Sequence, residues 1–213
     1  MDKGKIQMNH QKLSNREARM GLKILAWTAL ALGVGQITLM LASWLLTAAW
    51  PEDYTRCLLS AEGIRWFFGH FQDNIASPVL VWLLVGSIAY GSLVKSGILR
   101  YNAKEYRQRF ALGVANFELG VFVVIMLALT LLPHAILLNV MGGLVPSSFT
   151  QSIVPYCSFA VTVITCSFGV VSGNMVGVEG VFRAMTSGVA WAAPLLVLYV
   201  LAAQLLYSIV YLM

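Results

Sequence analysis

Residues 189–212 read VAWAAPLLVLYVLAAQLLYSIVYL, and no Asp, Glu, Lys, Arg or His interrupts the run. A helix needs about 20 predominantly apolar residues to cross a hydrocarbon core ~30 Å thick. This stretch therefore reads as a transmembrane helix. Four more runs of the same character precede it. The spacing predicts five spans in all, at about 22–49, 77–99, 111–132, 153–172 and 189–212. The chain is expected to be an all-α integral membrane protein: a basic leader over 1–22, then a single polytopic membrane domain over 23–213.

Composition agrees. Of 213 residues, 59% are hydrophobic and 11% charged, with a mean hydropathy of +0.77. A soluble domain carries about 25% charged residues. No polar segment is long enough to form a separate soluble domain. The formal net charge of +5 does not point to nucleic acid, because the cations flank the spans instead of forming a groove.

Those cations set the expected orientation. The leader is basic. The loop from Pro51 to Ala76 holds Glu52, Asp53, Glu62 and Asp73 against Arg56 and Arg65. The loop from Lys95 to Arg109 carries five basic residues against Glu105, and the segment from Gly173 to Ser187 carries Glu179 and Arg183. Placing the N-terminus in the cytoplasm and the C-terminus in the periplasm puts 12 of the 14 basic residues inside, as the positive-inside rule requires. The first apolar run is far longer than the 7–15 residues of a secretory signal core. It reads as an uncleaved anchor, although Thr47-Ala48-Ala49 supplies residues small enough for cleavage.

Two segments stand outside the five spans. Gly63 to Gln72 alternates Ile64, Trp66, Phe67, Phe68 and Phe71 with Arg65, His70 and Gln72, which suits a short helix in the outer interface. Ala135 to Val145 is apolar but too short to span. It is either a re-entrant or interfacial helix, or an apolar outer loop beyond a long third helix; Pro133 closes the third span.

Few residues carry chemistry. Glu118 lies inside the third span, and an isolated carboxylate there costs roughly 3 kcal/mol or more. Two readings fit it. It can be a proton- or cation-coupling site with Asn116 beside it, or it can pair with Arg107 or Arg109, or snorkel toward them. Gly169, Gly173 and Gly177 recur at four-residue spacing, which lets helices approach closely within the chain or against a partner. Asn174 and Glu179 nearby can line a path or belong to a cytoplasmic turn. His70 and Asp73, three apart, read as a solvated pair. Ser92 and Lys95 match a serine–lysine spacing without its companion motifs. Phosphate-loop, dinucleotide, zinc-protease and nucleophile-elbow motifs are missing, so no enzyme, cofactor or metal is expected. Cys57, Cys157 and Cys166 form no CxxC pair; the last two read as small apolar side chains.

One stretch resembles a known family. Leu58-Leu59-Ser60-Ala61-Glu62-Gly63-Ile64-Arg65-Trp66 is similar to the Leu-Leu-Ser-x-Glu-Gly-Ile/Leu-Arg-Trp stretch in the first outer loop of the AbgT family of p-aminobenzoyl-glutamate transporters. Pro78, Leu80, Leu84 and Gly86 fall where that family has its second span. Ser96-Gly97-Ile98-Leu99 looks like the Ser-Gly-Leu/Ile that closes it. The last run, with Pro194, is similar to the family's last helix. Full members are much longer, and their Asn-, Asp- and Pro-rich substrate motifs have no counterpart here, so no substrate-binding residue is carried over. The resemblance implies a shortened relative in the bacterial inner membrane. Such a relative would transport an organic anion such as p-aminobenzoyl-glutamate as an oligomer. The alternative is a non-catalytic structural subunit of a larger membrane complex. The expected partners are the bilayer, further copies of the chain or other membrane proteins.

Overall fold

The computed structural model describes residues 3–131 and 148–213, with side chains over 20–128 and 152–213. The segment 135–145, with its two readings, lies outside them, as does Pro133. The protein is all-α, with no strand among the described residues. Its elements are α1 (Lys3–Ala49), α2 (Ala61–Gly69), α3 (Phe71–Ile75), α4 (Pro78–Ser96), a 3-10 turn (Ile98–Arg100), α5 (Tyr106–Leu131), α6 (Ser148–Ser172) and α7 (Gly177–Leu212). Five segments are long and apolar enough to cross a membrane: Met20–Ala49, Pro78–Arg100, Tyr106–Ala128, Ser152–Ser172 and Gly177–Leu212. The chain is a multi-pass membrane protein.

Local chemistry explains the boundaries. α1 stops before Trp50-Pro51, because the residue ahead of a proline is pushed out of the helical region. Pro78 opens α4 at the position where its missing N–H costs nothing. α4 ends at Gly97, which adopts φ +80, a left-handed conformation that glycine takes without strain. Gly173 (φ +86) and Gly177 (φ +65) bracket the turn between α6 and α7. That turn is only four residues long, so α7 starts at Gly177 and not near Val189. The residues read from sequence as a cytoplasmic segment are mostly its first turns. Glu179 and Arg183, four apart, pair across one of them at 2.5 Å, an arrangement that supports helix locally.

The helices form two compact units. The first contains α1, α2, α3 and α7 from Pro194 onward. Its helices meet through polar groups. Gln36 Nε2 donates to Ser208 Oγ at 2.9 Å, and Asn74 Nδ2 donates to Gln204 Oε1 at 3.3 Å. The Tyr199 hydroxyl donates to the Ile75 carbonyl at 2.9 Å and lies 2.5 Å from Ser77 Oγ.

The second unit contains α4, α5, α6 and α7 up to Ala193. Here α6 packs against α4 and α5. Ala111, Ala115 and Phe168 form its core, bordered by Ile98, Leu112, Ile164 and Val171. α4 and α7 touch backbone to backbone. A Cβ placed on Gly91 would stand 2.6 Å from the Ala184 carbonyl oxygen and 2.7 Å from Gly188 Cα, and one on Gly188 would run into the Ser87 carbonyl.

Candidate functional site

Glu118 sits on α5 at the spacing that shares a face with Ala111, Ala115 and Phe122 (steps of three and four residues). Ala111 and Ala115 pack on Phe168 of α6. Phe122 meets Tyr156 and Phe159 of α6, with ring centroids 5.9 and 6.0 Å away. The Glu118 carboxylate is thereby held on the α6 side. Its Oε2 is buried and has no hydrogen-bond partner among the described residues. By helical rise it lies about 18 Å along the axis from Tyr106.

The expected pairing with Arg107 or Arg109 does not form: the ion pair found among the described residues is Glu179–Arg183. The reason is distance. Nine to eleven residues of helix separate Glu118 from the arginines by roughly 13–16 Å along the axis. The Arg107 guanidinium instead lies over Gly173, where a Cβ would stand 3.0 Å from its nearest nitrogen. That of Arg109 lies 6.0 Å from the centre of the Tyr106 ring. Nor does the carboxylate snorkel to the surface, since Oε2 is buried. Asn116 does not join it. Two residues turn a helix by about 200°, and Asn116 is exposed on the other side of α5.

The glycines at four-residue spacing have three different surroundings. A Cβ on Gly169 would stand 2.7 Å from the Met175 sulfur and one on Gly173 would meet Arg107, whereas Gly177 faces open space. They do not make one packing stripe, because α6 ends at Ser172, Gly173 belongs to the turn and Gly177 already opens α7. The close helix approach occurs instead at Gly91 and Gly188, whose isolated positions give no periodic signal.

The residues resembling the AbgT family mostly build turns. Ser60 caps α2: its hydroxyl donates to the Cys57 carbonyl at 2.7 Å and accepts from the Gly63 amide at 3.0 Å. A side chain on Gly63 would collide with the Cys57 carbonyl and with Leu58. Leu58 is fully buried, and its amide donates to Ser43 Oγ at 3.2 Å. Trp66 stacks on Tyr211 at 4.3 Å, and Arg56 donates to the Tyr211 carbonyl at 3.0 Å. Leu59, Glu62 and Arg65 are exposed. Pro78 begins α4. Ser96 is fully buried, and the Gly97 backbone lies against the Asn174 side chain. The Asn174 Nδ2 donates to the Ser96 carbonyl at 2.8 Å.

Other expected pairs are accounted for locally. His70 Nδ1 lies 3.3 Å from the Trp66 carbonyl oxygen, between α2 and α3. The Ser92 hydroxyl donates to the Ile88 carbonyl at 2.6 Å. The three cysteines are free.

A buried polar network was missed. Gln36, Asn74, Gln204 and Ser208 gather in the first unit, and Gln36 Oε1 and Gln204 Nε2 lack partners among the described residues. Being neutral, these side chains carry no charge signal. The available clue is two glutamines inside apolar runs. No protein-family model, curated protein or solved structure matches the chain.

Proposed function

We propose that this chain is a membrane transport protein for an organic anion of the p-aminobenzoyl-glutamate type, working as a homo-oligomer in a bacterial inner membrane. Glu118 carries the coupling proton or cation. The observation behind this reading is Glu118 Oε2, buried on the α6 side of a membrane helix and without a partner among the described residues. Ionisable groups held inside a span without a structural partner belong to ion and proton paths. The organic-anion class rests on the Leu58–Leu99 resemblance. Asn116 supports the oligomer: an amide exposed in mid-span has both a donor and an acceptor to offer, which the same amide of a second copy complements.

The test is uptake of p-aminobenzoyl-glutamate into proteoliposomes under an imposed ion gradient. Wild type accumulates the anion, and Glu118→Gln loses gradient-driven uptake while remaining folded. Unchanged uptake by the variant removes Glu118 from the mechanism. A wild type that moves no anion sinks the transport reading.

The second reading is a structural subunit of a larger complex. It draws support from the network of Gln36, Asn74, Gln204 and Ser208 and from the approach of Gly91 to Gly188, which join helices through neutral groups. Stoichiometric co-purification of different membrane proteins in mild detergent would favour it.

A further inference from the structure

Four cations surround the turn between α6 and α7. Arg107 lies over Gly173. A cavity of about 380 Å³ on one side of Asn174 has Lys95 and Arg183 in its wall. A second cavity, of about 490 Å³, is walled by Val94, Lys95, Gly97, Arg100, Gln108 and Asn174. Positive-inside bias accounts for basic residues at this end of the spans. It does not account for Lys95 sharing one cavity with Arg183 and another with Arg100.

The larger cavity is arranged for an anion. Neither Lys95 nor Arg100 has an ion-pair partner among the described residues, and no carboxylate lines the wall. The nearest acid in the loop, Glu105, is engaged by Gln108 Nε2 at 2.6 Å, while Gln108 Oε1 accepts from the Asn102 amide at 2.7 Å. Gln108 keeps a second amide hydrogen. Asn174 is fixed by its bond to the Ser96 carbonyl and keeps one as well. Two free cations and two tethered amides thus face one space. That donor set matches a phosphate group, which accepts charge-assisted hydrogen bonds on several oxygens.

We propose that the Lys95–Arg100–Asn174 cavity binds a phosphate-bearing anion, either the headgroup of an anionic phospholipid or a soluble phosphate compound. Basic pockets between spans at the cytoplasmic face are suited to such groups. The proposal stands apart from the transport reading: Gln108, its residue nearest to Glu118 in sequence, lies about 15 Å from it along α5, and the proposal requires no translocation.

The test uses the full chain purified in mild detergent and native mass spectrometry, with phosphatidylglycerol and phosphatidylcholine as probes and inorganic phosphate as competitor. Phosphatidylglycerol is expected to form a stoichiometric adduct that phosphatidylcholine does not. The double variant Lys95→Gln/Arg100→Gln should weaken that adduct roughly tenfold or more. Both side chains are exposed and unpaired, so retained helicity by circular dichroism is expected. Arg65→Gln, which removes a cation from the outer loop, should leave the adduct unchanged. If inorganic phosphate displaces the lipid at millimolar concentration, the cavity serves a soluble phosphate. If it does not, the headgroup is the ligand. Equal adducts with both lipids, or equal losses in Arg65→Gln and the double variant, would overturn the proposal. Lys95→Gln alone, read the same way, covers the case in which the double variant does not fold.

Discussion

At the residue scale, the family-like stretch is informative because its small and polar members have geometric duties. Ser60→Ala removes the cap of α2 and is expected to lower stability by about 1 kcal/mol. Gly63→Ala should cost more, about 1–3 kcal/mol, because its methyl must displace the Cys57–Leu58 backbone. Thermal melts in detergent check both, and a Gly63→Ala melt equal to wild type would refute the collision. Exposed Glu62 and Arg65 carry no such duty, so Ala at either should leave the melt in place. Much of this was legible as a motif, but its meaning was not. Ser-x-x-Gly ahead of an aromatic run identifies a helix start only once Leu58 is seen to be buried against Ser43. Glu118 was legible for a plainer reason, as the one acid inside an apolar run. What sequence could not supply was where the arginines go: Arg107 lies over Gly173 and Arg109 near the Tyr106 ring.

At the element scale, the spans were readable because apolar length alone identifies them. Their ends were less so. Glu179 and Arg183 made residues 177–187 look like a loop, whereas paired four apart on a helix they are compatible with an exposed first turn. The helix expected over 63–72 is two helices, α2 and α3, divided at His70. The crossing of α4 and α7 was invisible, since Gly91 and Gly188 stand far apart in sequence and each looks like an ordinary glycine. Gly188→Leu is expected to force these helices apart and lower the melting temperature by several degrees, while Gly86→Leu, at a position with open space around it, should not. Similar melts for the two variants would show that the crossing does not hold the unit together.

At the scale of the whole molecule, the charge pattern makes a claim about sidedness that the helices alone leave open. In a background with Cys57, Cys157 and Cys166 replaced, Ala61→Cys should react with an impermeant maleimide added to intact cells, and Ala103→Cys should react only after lysis. The reverse pattern would invert the topology. The Ser87–Gly91–Gly188 crossing also gives the protein a thermal character. Apolar burial in water fades on cooling because it is driven by solvent entropy. Between spans in lipid there is no such water to release, and a backbone-on-backbone contact rests on dispersion and weak Cα–H···O attraction. That attraction is enthalpic, so the part of the joint it supplies survives cold and is loosened by heat.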